Sequence, residues 1–158
     1  MRNEMVLKNM ILSGLVLVVC MGSLRAAEGV DSAGTDPTEL VTKAWVALKA
    51  GDHMLVSKLT TQCFEEFGDD AVRQQKESGE EISKENASSF PELNSVGTCL
   101  FILAESMSQQ GYDEKSQATL KKLITDFPEC HCANKQGYYW KPAIAAQKRL
   151  AEATEKAG

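Results

Sequence analysis

The sequence of 158 residues predicts an all-α protein built from antiparallel helix pairs. Three observations support this fold class. Apolar residues recur at spacings of three and four in every long apolar segment, which is the period of one helix face. Glycines interrupt the pattern and divide the chain into pairs of segments. No run of alternating apolar and polar residues is long enough to predict a β-strand.

The first 27 residues have the organisation of a bacterial secretory signal peptide. Arg2 and Lys8 give a positive start, an apolar run covers residues 10–21, and small residues follow up to Ala27. The run is short for a membrane-spanning helix, which needs about 20 residues. We therefore expect export to the periplasm or the extracellular space, with cleavage after residue 26 or 27. A retained N-terminal anchor is the alternative.

Cys20 lies within this apolar run and raises the possibility of a lipoprotein. A lipid-modified cysteine should follow a small residue, whereas the bulky Val19 precedes Cys20. We therefore expect no lipid anchor at Cys20 and no membrane span in the mature form.

The charge of the chain argues against nucleic acid as a partner. The formal net charge is −5. Removal of residues 1–27 takes away three basic residues and one acidic residue, which leaves a net charge of −7. General binding to phosphate backbones requires clustered lysine and arginine.

The mature domain is expected to begin after a flexible linker at residues 28–36, and to occupy residues 37–158. Asp36 and Pro37 are typical of a helix start, with Asp as the N-cap and Pro in the first turn. The apolar face of this first helix is formed by Val41, Ala44, Trp45 and Leu48.

Gly51 and Asp52 end the first helix and start the second. Apolar residues then continue at spacings of four at Leu55, Leu59, Cys63 and Phe67. We expect Gly68 to end the second helix and a short helix to run from Asp69 to about Glu77. Residues 78–90 show little periodicity and are predicted to be a connecting loop.

The second half of the chain predicts three further helices. The first begins near Pro91, ends at Gly111 and has an apolar face formed by Val96, Leu100, Leu103, Ala104 and Met107. Asp113 is expected to cap the next helix, and Pro128 ends it. The apolar face of that helix is formed by Leu120, Leu123, Ile124 and Phe127. The last helix begins at Pro142.

The spacing in the second half resembles the tetratricopeptide repeat. Ala104 lies seven residues before Gly111, Pro128 lies seventeen after it, and Ser116 occupies the small-residue site of the second helix. The first half repeats the pattern, with Ala44 seven residues before Gly51 and with Val56 and Cys63 at the small-residue sites. The stretches Asn94–Cys99, Phe101–Glu105 and Gly137–Pro142 are also similar to the C-terminal part of certain bacterial tetratricopeptide-like proteins.

This resemblance implies an α-α superhelix whose last helix caps the stack. About 26 extra residues separate the two pairs, which departs from a regular array. In this family the first helix of each pair lines a groove that binds a protein or peptide. By position, the implied partner-binding residues are Thr98, Phe101, Glu105, Ser108, Gln109 and Trp45. Weaker candidates are Thr38, Val41 and Leu48.

We therefore expect a non-catalytic binding or scaffold module of the bacterial cell envelope, with no cofactor. No nucleophile, base and orienting acid occur together in a recognisable catalytic pattern. His53 is expected to be a surface residue.

A metal-binding or redox protein that uses Cys130, His131 and Cys132 is the alternative function. Zinc sites usually pair cysteines across two to four residues and add a second pair, so the one-residue spacer fits poorly. The neighbouring aromatic group at residues 138–140 is either a binding platform or a plug that closes the core, and we favour the plug.

Four cysteines remain after removal of the signal peptide, an even number that permits disulfides in an exported protein. We expect Cys99 to pair with Cys130 or Cys132, because the second helix of a pair returns toward the start of the first. Cys63 is expected to be buried at its small-residue site, and four reduced thiols are the alternative.

Overall fold

A computed structural model describes residues 36–79, 82–134 and 136–157, with side chains as far as Glu155. The predicted signal peptide at residues 1–27, Cys20 within it and most of the predicted linker lie outside these residues. The described part contains five α-helices: α1 (Pro37–Ala50), α2 (His53–Glu77), α3 (Pro91–Gln109), α4 (Asp113–Asp126) and α5 (Pro142–Ala157). The prediction of a mostly helical domain of packed helix pairs is confirmed.

The ends of α1 follow the sequence signals closely. The Asp36 carboxylate accepts a hydrogen bond from the Thr38 backbone N–H at 2.9 Å. Gly51 ends the helix at a positive φ of 71°, which a residue without a side chain adopts at little cost. Asp52 then caps α2 by accepting from the Leu55 N–H at 3.0 Å.

Helix α2 is a single helix of 25 residues, so the prediction of a break at Gly68 was wrong. A glycine within a helix costs only about 1 kcal/mol relative to alanine. Here Cys63 and Ala71, on either side of Gly68, are fully buried and hold the helix to the core. The connection predicted for residues 78–90 begins after Glu77 and includes a 3₁₀ turn at Ala87–Ser89.

Helix α3 lies at the centre of the domain and contacts α1, α2, α4 and α5. Every residue from Ser95 to Ile102 is buried, including Val96, Cys99 and Leu100. A helix that is buried on all sides is enclosed by its neighbours rather than packed along one stripe. Helix α3 therefore forms the centre of the core, against which α1, α2, α4 and α5 pack.

Helices α3 and α4 form a close antiparallel pair. Ala104 is fully buried, and the Ser116 hydroxyl donates a hydrogen bond to the Ala104 carbonyl at 2.8 Å. Gly111 turns the chain between the helices at a φ of 78°. Helix α4 begins at Asp113, so the prediction that Asp113 caps the helix was wrong by one residue, and Tyr112 occupies the N-cap position.

A short antiparallel ribbon connects α4 to α5, contrary to the prediction that the domain lacks strands. Its strands are β1 (Cys132–Ala133) and β2 (Tyr139–Trp140), with Cys132 opposite Trp140. The Asn134 side chain closes the turn by accepting from the Gln136 and Tyr138 N–H groups at 3.0 and 2.9 Å. Strands of two residues are too short to show an alternating pattern, so sequence periodicity cannot reveal them.

None of the helices within the described ranges is both long enough and apolar enough to span a bilayer.

Candidate functional site

A cleft of about 770 Å³ opens between α1, the start of α3 and the β1–β2 ribbon. We call it the ribbon cleft. Its volume lies within the range of about 300–1,000 Å³ that is typical of ligand pockets. The residues that line it are Thr38, Val41, Thr42, Trp45, Val46, Lys49, Ser88, Pro91, Asn94, Ser95, Thr98, His131, Cys132, Ala133, Asn134, Gln136, Tyr139 and Trp140.

Aromatic rings form one wall of the ribbon cleft. The Phe101 ring packs edge-on against Trp140, with centroids 5.2 Å apart, and lies 6.4 Å from the Trp45 ring. Phe101 is buried, whereas both tryptophans are half-buried and line the cleft. Such pairs stabilise the fold by about 0.5–1.5 kcal/mol beyond their area burial. The indole rings are therefore held in place before any ligand binds.

Asn94 links the segments on the polar side of the cleft through hydrogen bonds. Its side-chain amide donates to the Ala87 carbonyl at 2.6 Å, and its side-chain oxygen accepts from the His131 N–H at 2.7 Å. The Thr98 hydroxyl donates to the Asn94 backbone carbonyl at 2.6 Å. These bonds join the 3₁₀ turn, α3 and the ribbon, so the cleft has a rigid polar frame.

The electrostatic character of the cleft differs from that of the chain. None of the described residues that line it is Asp or Glu, and Lys49 carries a positive charge at its edge. The whole chain, in contrast, has a net charge of −5. The cleft is therefore a neutral to weakly positive surface on an acidic protein.

The Cys132 thiol lies half-buried between the two tryptophans. Burial raises the pKa of Cys132 above its ordinary value, while hydrogen bonding to Thr98, Trp140 and Trp45 acts in the opposite direction. A raised pKa favours the neutral thiol, so Cys132 contributes a neutral sulfur to the wall of the cleft.

The structure divides the predicted partner-binding residues between two surfaces. Trp45 and Thr98 line the ribbon cleft, and Phe101 supports its aromatic wall. Glu105, Ser108 and Gln109 instead line a depression of about 530 Å³ between α3, α4 and α5. The ribbon separates the two surfaces, because Trp140 packs onto Phe101 in the middle of the α3 face.

Glu105 is already paired in that depression. The Arg149 guanidinium donates to both Glu105 oxygens, at 2.8 and 3.1 Å. The same carboxylate raises the pKa of Arg149. A partner that bound here would compete with this ion pair, so the ribbon cleft is the better candidate site.

Sequence reasoning missed the contributions of Asn94, His131 and Asn134 to the cleft. The aromatic group at residues 138–140 was the available signal, and its members have separate roles. Trp140 packs against Phe101, whereas Tyr138 is 64% exposed and lies 5.3 Å from the Lys84 ammonium. Trp140 therefore helps to close the core, whereas Tyr138 belongs to the surface.

The side chains of Cys130, His131 and Cys132 have different surroundings. Cys130 is buried against Gly97, and burial raises the pKa of Cys130 to about 12. The His131 ring hydrogen-bonds the Glu129 carbonyl at 2.8 Å, and Cys132 lies between the indoles. Across the described ranges, no three His, Cys, Asp or Glu side chains are grouped so that they could hold a metal ion. The metal-binding alternative has no geometric support there.

All four described cysteines are thiols in the structure. The predicted pairing of Cys99 with Cys130 or Cys132 stays a prediction. Hydrogen bonding to the Cys63 thiol, together with burial, raises the pKa of Cys99.

No protein-family model matches this chain, nor does any curated protein or solved structure. Its function is therefore inferred from the ribbon cleft itself.

Proposed function

We propose that this chain is a non-catalytic binding module that holds an extended segment of a partner protein in the ribbon cleft. The observation that carries the proposal is the pair of half-buried indoles, Trp45 and Trp140, held beside a hydrogen-bonded polar frame. Tryptophan and tyrosine dominate the binding energy of many protein interfaces. Because the cleft is ordered before the partner binds, binding costs less conformational entropy.

We also propose that the helix pairs are arranged as in tetratricopeptide repeats, with α1 and α3 as the first helices of successive pairs and α5 as the cap. The contacts of α3 with both α1 and α5 support this proposal. The close crossing of Ala104 and Ser116 is the arrangement that the small residues of such repeats permit. The ribbon is a departure from the regular repeat, since it divides the surface that a tetratricopeptide groove would leave open.

The chemistry of the cleft points to an apolar or aromatic side chain flanked by neutral or acidic residues. The indoles can bury the apolar side chain. Among the described residues, none that lines the cleft carries a carboxylate that would attract a basic partner, and Lys49 favours an acidic one. Exposed polar groups such as Asn134 at the rim can pair with the backbone of an extended segment.

Tryptophan fluorescence provides a direct test, because the chain has two tryptophans and both line the cleft. Peptides selected from a random display library on the immobilised protein would be titrated into the mature protein. We expect peptides with an aromatic or large aliphatic residue and a neutral or acidic flank to shift the emission.

Two matched variants give the control. Thr42 and Thr154 are both exposed helical threonines whose hydroxyls donate to the carbonyl four residues earlier at 3.0 Å. Thr42 lines the cleft, whereas Thr154 lies on α5 and does not. Thr42→Arg should weaken peptide binding at least about tenfold, which corresponds to about 1.4 kcal/mol, while Thr154→Arg should leave it within about twofold. Equal effects of both variants, or a preference for basic peptides, would refute the proposal.

We further propose that the module acts after export into the bacterial envelope or beyond it. The proposal rests on the charged start, apolar run and small-residue exit of residues 1–27. N-terminal sequencing of the protein from its native host should find a mature chain that begins after residue 26 or 27. An intact Met1 in the cytoplasm would contradict this.

A further inference from the structure

Two buried cysteines, Cys63 of α2 and Cys99 of α3, lie on helices that pack against each other. Cys63 is fully buried and Cys99 is 2% exposed. A small cavity of about 280 Å³ between these helices is lined by Thr60, Thr61, Phe64 and Glu65 of α2, by Val96, Cys99, Leu100 and Leu103 of α3, and by Lys122 of α4. These turns therefore face each other, and the two cysteines lie within them. Contact with the Cys63 thiol, followed by burial, raises the pKa of Cys99.

The other cysteines approach α3 from different directions. An α-helix turns about 100° per residue, so positions two apart point about 200° apart. Cys130 packs against Gly97, two residues before Cys99, and a Cβ atom on Gly97 would lie 2.3 Å from its sulfur. Cys130 is therefore on the side of α3 roughly opposite to Cys99. Cys132 lies beside Thr98, about a quarter turn away from Cys99.

We propose that Cys63 and Cys99 are joined by a disulfide in the mature protein, which links the first helix pair to the second. The inference goes beyond peptide binding and rests on the proposed export, because disulfides persist in oxidising compartments. It replaces the pairing of Cys99 with Cys130 or Cys132 that the sequence predicts. The physical reason is that the chain after α4 returns to the Gly97 face of α3, whereas α2 covers the Cys99 face.

The bond forms by thiol–disulfide exchange with an external disulfide, such as an oxidised protein dithiol or oxidised glutathione. One cysteine thiolate attacks the external disulfide and releases the first reduced thiol. The second cysteine thiolate then attacks the mixed disulfide and releases the second. The two cysteines lose two protons and two electrons in total, and the external disulfide gains them. Because both thiols are buried in the folded domain, the exchange takes place while the chain is open.

Differential alkylation followed by peptide mapping without reduction tests the pairing. The mature protein would be refolded in a mixture of reduced and oxidised glutathione, and protein from the native host would be mapped in parallel. We expect one linked peptide pair that contains Cys63 and Cys99, with two free thiols at Cys130 and Cys132. Thirty-five residues separate Cys63 from Cys99, so reduction should lower the Tm by about 10 °C.

Cysteine variants provide the matched comparison. Cys132→Ala should keep the linked pair and the effect of reductant on the Tm, whereas Cys63→Ala should lose both. If Cys63→Ala does not fold, the wild-type map and its Tm difference still decide the matter. A peptide that links Cys99 to Cys130 or Cys132, or four free thiols after refolding in oxidised glutathione, would overturn the proposal. A linked pair after refolding together with an intact Met1 in the host would show that the export proposal alone has failed.

Discussion

Substitution of Gly97 by alanine should destabilise the protein, although the same change stabilises most helices. Gly97 lies in the buried middle of α3, where Cys130 packs directly on its backbone. An added Cβ atom would lie 2.3 Å from the Cys130 sulfur and 2.6 Å from the Cys130 Cβ. It would also lie 3.5 Å from a methyl group of Leu123, which is ordinary contact.

The magnitude follows from two opposing terms. Replacing glycine by alanine within a helix contributes up to about 1 kcal/mol in favour of the folded state. Overpacking of a closed core costs typically about 1–3 kcal/mol, and more when a backbone has to move. A rotation of the Cys130 side chain can relieve the contact with its sulfur but not the contact with its Cβ. The upper part of the overpacking range therefore applies, and the net destabilisation should be about 1–2 kcal/mol.

Urea denaturation followed by circular dichroism, under reducing conditions, measures the free energy of unfolding. The Cys130→Gly background supplies the control, because it removes both Cys130 atoms that the new Cβ would approach too closely. In that background the effect of Gly97→Ala on the free energy of unfolding should change sign, and the substitution should stabilise the protein by up to about 1 kcal/mol. Stabilisation by Gly97→Ala in the wild-type background, or the same effect in both, would show that Cys130 does not approach α3 at this position.

Three further predictions concern the core and the surface of the helix pairs. Ser116→Ala should lower the free energy of unfolding, measured by urea denaturation, by about 1 kcal/mol, because the Ala104 carbonyl loses the hydrogen bond from the Ser116 hydroxyl. A neutral effect would place Ser116 outside the crossing of α3 and α4. Arg149→Ala should lower it by less than about 1 kcal/mol, and less still at 1 M salt, since its pair with Glu105 is partly exposed. Burial raises the pKa of Cys130 from 9.0 to about 12, so the folded state binds this proton more tightly than the unfolded state does. The contribution of the Cys130 thiol to the free energy of unfolding should therefore fall as the pH rises from 9.0 to about 12. The free energy of unfolding of the Cys130→Ala variant should fall less over the same pH range.

The helix ends were predictable because their signals are local. Asp36, Gly51, Asp52 and Gly111 act through capping bonds and a positive φ within a few residues, and all four do so in the structure. The break expected at Gly68 failed for the opposite reason. Burial of the surrounding turns against α3 outweighs a local cost of about 1 kcal/mol, and no local pattern reports that burial.

The residues of the candidate site were predicted only in part. Trp45, Thr98 and Phe101 follow from their positions on the first helices, and they lie together at the ribbon cleft. Glu105 was predicted from the same helix stripe but belongs to a second depression beside Arg149. The division arises because Trp140 packs onto Phe101, which is a contact between residues far apart in the chain.

The sequence by itself therefore determined the helices, most of their ends and the central place of small residues such as Ala104. Helical periodicity and capping are short-range effects, so they can be read without knowing which elements become neighbours. Only the tertiary structure decided that the ribbon folds back over α3, which closes the cleft around two tryptophans. It also decided that Cys130 packs on Gly97, because the direction from which each element reaches a buried helix depends on the packing of the whole domain.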